Sequence, residues 1–429
     1  MNKVKINGDI TLREKIYFDK DAVEKPQQLQ SAFTYQDRDE VFTTLEEDEY
    51  QFAVPSGAWK KLEWTGKAVD ERIMIQTNED INFQGILRNE QQEAANAFCN
   101  KNVILSGILQ ARCGWGKTFV GCYLISKSNQ RTLILVHTKL LWRQWIEEIE
   151  KQLNIEPGRI GDGDFIKKDI TVGIYKSVYN NIESIKEDFG VTMVDEVHLC
   201  PAEMFSSTVN NINSKIKFGI SATPVRKDGK HLVLPDYFTP RKFRARDEET
   251  DDIDIYLEIV RTDFPFMAIN PQRDWAKQLT KIAGNSKYIE LISNKAIEKI
   301  QQGRCILILS ERLDMLKALK KLIPRSVLLV GATKEEDRQK ILNNVGTDYK
   351  VILTTKIFDE GISCHRLDTL FLTCPHNNFP KLEQRVGRII REHPDKKVPL
   401  VVDFFLKGPI VARQQQKRKE WYIQNGYIP

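Results

Sequence analysis

Ala111-Arg-Cys-Gly-Trp-Gly-Lys-Thr118 is the stretch that decides the fold of this 429-residue chain. It has the spacing G-x-x-x-x-G-K-[ST] of a phosphate-binding loop, with Ala in the first position. The loop follows an apolar stretch that is predicted as a strand, and it precedes a predicted helix over Phe119–Ile125. This is the context that the motif requires, so the sequence predicts a nucleotide site between a strand and a helix.

Each residue type in this loop has a physical role in holding a nucleoside triphosphate. Gly114 and Gly116 allow backbone N–H groups to point at the β-phosphate. Lys117 supplies positive charge to the β- and γ-phosphates, and the Thr118 hydroxyl ligates Mg²⁺. The loop therefore predicts ATP and Mg²⁺ as the cofactors of this chain.

A pair of carboxylates follows another apolar run. Val191–Val194 leads directly into residues 195–198, which read Asp-Glu-Val-His. A carboxylate at the end of a strand can reach the Mg²⁺ held by the loop threonine, so Asp195 is the predicted metal ligand. Glu196 is then placed to orient and deprotonate the attacking water. His198 either couples this loop to a later motif or is a polar residue of the turn.

Short apolar runs alternate with amphipathic helical stretches from Leu87 onward, and this alternation predicts parallel sheets covered by helices. The predicted strands of the first half are Val103–Leu105, Leu133–Val136, Ile170–Ile174, Val191–Val194 and Lys217–Ile220. Those of the second half are Cys305–Leu309, Val327–Val330, Val351–Leu353, Thr369–Leu372 and Leu400–Phe404. An irregular, charged region over Arg241–Asp254 separates the halves, so we expect two consecutive α/β domains.

The first block of the chain has a different pattern. Short alternating segments at Lys3–Ile6, Lys15–Phe18 and Glu49–Pro55 are typical of strands, and the acidic run at 46–49 is typical of a solvated edge. We therefore expect a small α+β domain over residues 1–82, a first α/β domain over 83–245 and a second over 246–429. The second ends in a predicted basic helix at Ala412–Tyr427.

Charge is distributed unevenly along the chain. Residues 1–90 carry 12 Lys and Arg against 18 Asp and Glu, a balance of −6; because the whole chain is at +5, the remainder is at +11. A basic body suits a polyanionic partner.

No apolar stretch approaches the roughly 20 residues that cross a bilayer. The seven cysteines have no C-x-x-C spacing, so we expect reduced thiols in a cytoplasmic protein without membrane contact, in the host cytosol if viral.

The phosphate-binding loop and the Asp-Glu-Val-His tetrapeptide, in this order, resemble the motifs of superfamily 2 helicases of the DExH-box branch. The resemblance extends over residues 84–410 and implies two tandem RecA-like domains. It also implies an adenine contact from Arg88 and from Gln91, whose amide can both donate and accept hydrogen bonds. The residues that match nucleic-acid backbone contacts of the family are Thr138, Lys139, Tyr175, Lys176, Ser177, Ser310, Thr354 and Thr355.

Two further segments extend the resemblance. Ser221-Ala222-Thr223 is similar to the helicase motif that couples the carboxylate loop to the strand-binding surface through Ser221 and Thr223. Glu360-Gly361-Ile362-Ser363 resembles a motif that touches both nucleic acid and nucleotide, with Gly361 as the implied nucleotide contact. Many relatives have Asp where this chain has Ser363.

The last motif lies at 384–391 and reads Gln-Arg-Val-Gly-Arg-Ile-Ile-Arg. The resemblance implies that Gln384, Arg388 and Arg391 take part in hydrolysis. Arg388 and Arg391 are three residues apart, so we expect them to share one helix face. From there they would act as arginine fingers on the γ-phosphate.

The combination of these motifs resembles the phage UvsW-type branch-migration helicases. It implies an ATP-dependent DNA helicase or translocase, most simply a monomer, that unwinds forked DNA and branch-migrates junctions in phage replication, recombination or repair. The implied partner is forked, single-stranded or four-way junction DNA. Two alternatives remain open from the residues themselves. One is a DExH RNA helicase, which would show RNA-stimulated ATPase activity. The other is an ATP-switched nucleic-acid-binding protein that does not unwind.

Two features outside the motifs have open interpretations. Trp59 or Trp64 could be an aromatic wedge for a DNA junction, or either could pack in a core. The cluster Lys417-Arg418-Lys419 could touch DNA, or it could be one face of a solvated helix.

Overall fold

The computed structural model describes residues 3–37, 40–100, 103–111, 115–199, 203–222, 230–245, 254–268, 271–355, 364–376, 378–390, 393 and 396–428. The chain separates into two compact units, Met1–Asp247 and Glu248–Pro429. Each unit is built around its own parallel sheet, so the predicted α/β class is confirmed. No helix in the described part of the chain combines the length and the hydropathy that a membrane crossing requires.

The first unit begins with short strands around one helix. Its first elements are β1 (Val4–Ile6), β2 (Ile10–Leu12), β3 (Lys15–Asp19), α1 (Pro26–Phe33), β4 (Thr34–Asp37), β5 (Glu40–Thr43), β6 (Glu46–Glu47), β7 (Gln51–Pro55), β8 (Leu62–Trp64) and β9 (Ala68–Asp70). A sheet of order β6-β7-β3-β2-β9 has the exposed acidic strand β6 at its edge, as predicted. Ile16, Phe18 and Val54 of this sheet form a core with Leu29 and Phe33 of α1.

The main sheet of the first unit carries the phosphate-binding loop. Its elements are α2 (Asn89–Phe98), β10 (Cys99–Asn100), β11 (Val103–Ile104), β12 (Gly107–Gln110), α3 (Lys117–Ser128), β13 (Thr132–Val136), α4 (Lys139–Leu153), β14 (Gly158–Gly161), β15 (Asp164–Ile166), β16 (Ile170–Ile174), α5 (Tyr175–Asn180), β17 (Val191–Asp195), α6 (Glu203–Asn211), β18 (Ile216–Ser221), α7 (Leu234–Phe238) and β19 (Lys242–Arg244). The strand order is β15-β14-β16-β13-β17-β18-β12-β19. Since β12, β18 and β17 are neighbouring parallel strands, the loops after them meet at one edge of the sheet.

A buried carboxylate joins the amino-terminal strands to this sheet. Asp236 of α7 is 1% exposed. Lys61 forms a salt bridge with it at 2.9 Å, and the hydroxyls of Tyr35 and Thr44 donate to it as well. Because a buried charge must be paired and hydrogen-bonded to be tolerated, these contacts fix the amino-terminal segment against α7.

The second unit repeats the strand–helix alternation. Its elements are β20 (Tyr256–Pro265), α8 (Pro271–Ala283), α9 (Ser286–Gln301), β21 (Ile306–Leu309), α10 (Leu313–Leu322), β22 (Ser326–Leu329), α11 (Glu335–Asn343), β23 (Val351–Thr354), β24 (Thr369–Leu372), α12 (Phe379–Val386), β25 (Leu400–Lys407) and α13 (Pro409–Gln424). The strands are parallel in the order β20-β25-β24-β21-β23-β22. The inner strands β21 and β24 are buried along their whole length, which explains their continuous apolar sequences.

One strand prediction and one prediction of irregular structure are wrong. Val103–Leu105 was expected in the parallel sheet, but β11 pairs with β10 in an antiparallel hairpin. The strand before the phosphate-binding loop is β12, which lies between β18 and β19. The region predicted as irregular from Arg241 onward also contains β19, an edge strand of the first sheet.

The structure places the two tryptophans, Trp59 and Trp64, and the basic cluster at 417–419. Trp64 packs against the amino-terminal core, whereas Trp59 is 42% exposed with Lys60 Nζ 5.5 Å from its ring centre. Arg418 is completely buried and forms a salt bridge with Asp403. Both interpretations of the 417–419 cluster are therefore wrong for Arg418, because a buried and paired guanidinium neither faces solvent nor reaches DNA.

Candidate active site

The phosphate-binding loop connects β12 to α3. The helix begins at Lys117, and Gly116 before it has a φ of 92°, a left-handed conformation that glycine adopts without strain. A Cβ at Gly116 would also lie 2.6 Å from Nε2 of Gln91, so the position excludes a side chain. Gly114 lies outside the described residues. Lys117 Nζ donates a hydrogen bond to the Ala111 carbonyl at 2.9 Å, and it can exchange this carbonyl for a phosphate oxygen.

Arg88 and Gln91, the predicted adenine contacts, are bonded to this loop. Both donate to the carbonyl of Trp115, from Arg88 Nη2 at 2.7 Å and from Gln91 Nε2 at 2.9 Å. Gln91 Oε1 accepts from the backbone N–H of Arg88 at 3.0 Å and so closes a capping box at the start of α2. The two residues hold the loop in place, and the Gln91 amide keeps one N–H and one lone pair for a further partner.

Asp195 lies at the end of β17 with its side chain buried. The indole N–H of Trp145 on α4 donates to Oδ2 at 2.8 Å, and the backbone N–H of Glu196 donates to Oδ1 at 2.9 Å. Gly121 of α3 makes room for the indole, since a Cβ there would lie 2.6 Å from the ring. Each carboxylate oxygen is thus oriented by one donor and keeps a second lone pair.

A divalent cation fits the donors at this edge of the sheet. Burial, together with the nearby Glu196 carboxylate, raises the pKa of Asp195 above its ordinary value. A bound cation would offset this cost of burying the anion. Thr118 adds a hydroxyl in the first turn of α3, and oxygen donors are those that Mg²⁺ prefers. Within the described residues, no group of three His, Cys, Asp or Glu side chains is placed to hold a metal ion.

Glu196 contacts both His198 and Ser221. Its Oε2 is 3.2 Å from His198 Nδ1 and 3.5 Å from Ser221 Oγ, and those two atoms are 3.1 Å apart. Glu196 has a φ of 52°, which side-chain-bearing residues rarely adopt. Burial acts to raise the pKa of Glu196, but the hydrogen bond with His198 and the charge of Lys117 lower it overall. The carboxylate is therefore ionised and lies directly against the Ser221 loop; Thr223 is outside the described residues.

Thr138 and Lys139 lie at the start of α4. The Thr138 hydroxyl caps the helix by accepting from the Leu141 N–H at 3.2 Å, and its own proton is left for a phosphate oxygen. Lys139 forms a salt bridge with Asp162, at the turn between β14 and β15. Arg143 reaches the same carboxylate at 3.4 Å. Exposed pairs of this kind are weak, so a phosphate can displace Asp162.

The predicted contacts at 175–177 separate into buried and exposed side chains. Tyr175 is 1% exposed and lies in the core between the sheet and α5. Its predicted role as a nucleic-acid contact is therefore wrong, because its ring does not reach the surface. Lys176 is exposed and Ser177 is half-buried on the first turn of the same helix. These two side chains remain candidates for a phosphate contact.

Three motifs of the second unit meet at one small cavity. Its volume is about 20 Å³, room for roughly one water, and its lining includes Ser310, Thr355, His376 and Arg385. Thr354, the neighbour of Thr355, is completely buried in β23. The prediction that Thr354 contacts nucleic acid is wrong, because β23 is buried along its whole length. The same prediction is wrong for Ser310, which is 4% exposed and whose hydroxyl accepts from the Arg312 N–H at 3.2 Å.

The last motif is only partly helical. α12 ends at Val386 and contains Gln384, whereas Arg388 lies in the following turn with its N–H bonded to the Arg385 carbonyl at 3.2 Å. The expectation that Arg388 and Arg391 share a helix face is therefore wrong for Arg388. Arg391 and Gly361 lie outside the described residues.

The contact of Trp145 with Asp195 is a feature of this site that the sequence does not reveal. Trp145 is 50 positions from Asp195, and an apolar residue in an amphipathic helix is ordinarily interpreted as core. We expect Trp145→Phe to keep the packing against Gly121 but to leave one oxygen of Asp195 without its donor. Loss of such an orienting hydrogen bond lowers activity by about 10- to 100-fold. Steady-state ATPase kinetics should show the loss in kcat, with nucleotide affinity little changed.

Trp142 provides a matched control on the same helix. Its indole is also buried, but it donates to the backbone carbonyl of Val172 at 2.8 Å and not to a carboxylate. Trp142→Phe should therefore leave kcat close to wild type. Equal losses from both variants would assign the effect of Trp145 to packing.

Comparisons with known proteins match one family model in each unit. Residues 84–226 match the family described as type III restriction enzyme, res subunit, and residues 286–393 match the helicase conserved C-terminal domain. The chain is 30% identical over 348 residues to the probable helicase D10 of Escherichia phage T5, covering 80% of this chain and 76% of that protein. It is 27% identical over 379 residues to the DNA 3'-5' translocase XPB2 of Sulfurisphaera tokodaii, covering 78% and 84%. Among solved structures, S. cerevisiae Dbp5 bound to RNA and ADP BeF3 has a similar fold, with a TM-score of 0.58 at 13% identity over 78% of this chain and 87% of that one.

Proposed function

We propose a function from one premise: the chain belongs to the superfamily 2 helicases, enzymes that couple ATP hydrolysis to the unwinding of nucleic acid. We infer that its substrate is DNA, and that it separates forked DNA and moves four-way junctions in phage replication, recombination or repair. The observation that carries the coupling of hydrolysis to movement is the contact of Glu196 with Ser221 and His198, because it ties the hydrolytic carboxylate to a second loop. Relatives named as DNA helicases or translocases support DNA as the substrate.

Hydrolysis follows from the groups at the edge of the first sheet. Lys117 leaves the Ala111 carbonyl and binds the β- and γ-phosphates. Thr118 and Asp195 hold Mg²⁺, which neutralises charge on the phosphates when it is bound. Glu196, ionised and held by His198, orients the attacking water and accepts its proton.

Coupling to DNA uses loops of both units. Thr138, Lys139, Lys176 and Ser177 bind the DNA backbone from the first unit, with phosphate replacing Asp162 at Lys139. Thr355 does so from the second unit, and Arg388 and Arg391 bind the γ-phosphate as arginine fingers. Loss of the γ-phosphate then releases one unit from the nucleotide, so repeated cycles move the protein along the strand. We propose that it acts as a monomer in the cytosol, which is that of the host cell if the protein is viral.

A substrate panel tests this function. ATPase stimulation and strand separation are measured with single-stranded DNA, forked DNA, a four-way junction and duplex RNA, with Lys117→Ala as the inactive control. We expect stimulation by DNA, and strand separation or junction movement on the forked and four-way substrates. RNA-only stimulation would make the chain an RNA helicase, which the fold likeness to an RNA-bound structure keeps as the second candidate. Tight ATP-dependent DNA binding without strand movement would make it a switch without unwinding.

Trp59 is the candidate wedge of the amino-terminal segment. An exposed ring with a lysine over it can stack on an unpaired base at a junction, which contributes about 1–3 kcal/mol per base. We expect Trp59→Ala to weaken binding of a four-way junction by roughly 10-fold and to leave single-stranded-DNA-stimulated kcat unchanged. Tyr50→Ala, which removes another exposed ring from the same region, is the control. Equal junction affinity for wild type and Trp59→Ala would rule out the wedge.

A further inference from the structure

The carboxyl-terminal helix α13 packs against the segment that leads into α12. Arg418 is completely buried, and its guanidinium makes three directed hydrogen bonds. Nε and Nη2 donate to the two carboxylate oxygens of Asp403 on β25, at 2.9 and 3.0 Å. Nη1 donates to the backbone carbonyl of His376 at 2.8 Å. The planar fork therefore links a central strand of the sheet to the loop after β24.

A second contact from α13, three residues after Arg418, holds the start of α12. Trp421 of α13 stacks on Phe379, the first residue of α12, with ring centres 6.1 Å apart and 25° between the planes. Tyr422, next to it, donates its hydroxyl to Asp403 at 3.0 Å and so completes the buried cluster. The start of α12 is thus held from one side by the helix that ends the chain.

The loop that Arg418 binds also borders the small cavity lined by motif residues of the second unit. His376 lines this cavity together with Ser310, Thr355 and Arg385. Burial, with Arg418 and Arg385 nearby, lowers the pKa of His376 to about 3, so its imidazole is neutral. A shift of the His376 backbone would therefore move a wall of the cavity and the start of α12 together.

A buried ion pair of this kind is not needed for stability alone. Apolar residues of similar volume often replace such a pair without loss, because the gain in Coulomb energy is cancelled by the cost of desolvation. What an apolar pair cannot do is donate a directed hydrogen bond to a third group. The bond from Arg418 to the His376 carbonyl is the part of the cluster that a purely structural role leaves unexplained.

We propose that Arg418 is a positioning residue for ATP hydrolysis: by holding the His376 carbonyl from Asp403, it sets the direction of α12 and of Arg388 beyond it. This role rests on the proposed function of Arg388 at the γ-phosphate. Arg418 does not touch the nucleotide; it acts through the loop and the helix. Errors of about 1 Å in placing a catalytic group cost up to about 100-fold in rate, so the expected effect is on kcat.

The test separates positioning from stability with three variants of the full-length chain. Arg418→Met removes the fork, and the double variant Asp403→Leu/Arg418→Met replaces the buried ion pair with an apolar pair. Gln415→Met is the matched control, because Gln415 is buried on the same helix but donates to the Leu406 carbonyl of β25 and not to the loop. For each variant we measure thermal unfolding, nucleotide affinity, and the KM and kcat of nucleic-acid-stimulated ATP hydrolysis.

We expect Arg418→Met to unfold at a lower temperature and to lose roughly 10- to 100-fold in kcat. The double variant should regain most of the unfolding temperature but not kcat, with nucleotide affinity close to wild type. Adding Arg418→Met to Arg388→Ala should lower kcat no further, because both act through the same group. Recovery of kcat in the double variant, or an equal loss in Gln415→Met, would overturn the positioning role.

The assignment of DNA as the substrate and the positioning role of Arg418 can fail separately. If the substrate panel favours RNA while the Arg418 variants behave as expected, the DNA assignment fails and the positioning role stands. If the wild-type chain separates DNA strands and Arg388→Ala loses kcat but the apolar pair restores full turnover, only the positioning role fails.

Discussion

Glu196→Gln is expected to keep ATP bound and to lower kcat by about 10³-fold. Gln has nearly the shape of Glu, so the contacts with His198 and Ser221 are largely kept. What it loses is the negative charge that accepts a proton from the attacking water, a contribution of about 10²- to 10⁴-fold. Lys117 and the phosphate-binding loop are unchanged, so the nucleotide affinity should stay within a few-fold of wild type.

Single-turnover hydrolysis and equilibrium binding of ATP measure the two quantities separately. Glu150→Gln is the control, since Glu150 belongs to the same unit but forms a salt bridge with Arg159 at the surface. It should hydrolyse ATP at the wild-type rate. A Glu196→Gln protein with near-normal turnover would remove Glu196 from the role of general base. Loss of ATP binding in that variant would show instead that the carboxylate supports the phosphate-binding loop.

The motif residues of the first unit could be predicted from sequence because their chemistry is local. Lys117 must follow a glycine at the start of a helix, and Asp195 must follow a buried strand; both are found there. Trp145 could not be predicted, because the hydrogen bond to Asp195 joins residues that only the fold brings together. Arg418 was hidden for a similar reason: within a basic triplet it has the pattern of a solvated helix, and its contact with Asp403 on the preceding strand, 15 residues earlier, is formed only in the fold.

Side-chain direction is the other property that a motif does not determine. Tyr175 and Thr354 occupy motif positions but are buried: Tyr175 faces the core while its neighbour Lys176 is exposed, and Thr354 lies in a strand that is buried throughout. The strand β20 was missed because its exposed and half-buried residues form no continuous apolar run. In contrast, β13 and β16 were found at almost the correct bounds, since strands buried on both faces must be apolar throughout.

Arg388→Ala is expected to lower kcat by roughly 10³-fold or more while ATP binding is retained, if Arg388 acts as an arginine finger. The reason is that the finger binds the charge that develops on the γ-phosphate during transfer, whereas Lys117 binds the phosphates in the ground state. The turn that carries Arg388 follows α12 directly, with Gly387 N–H bonded to the Glu383 carbonyl at 2.8 Å, so the side chain leaves a fixed helix end.

Arg388→Lys distinguishes charge from geometry at this position. A lysine keeps the positive charge but lacks the planar fork that matches phosphate oxygens, so it should recover only a small part of kcat. Arg413→Ala, which removes an exposed arginine from α13 of the same unit, controls for a general loss of positive charge. Pre-steady-state kinetics with saturating ATP and DNA measure the hydrolysis step itself. A rate for Arg388→Ala close to that of wild type would exclude the finger, and full recovery in Arg388→Lys would reduce its role to electrostatic attraction.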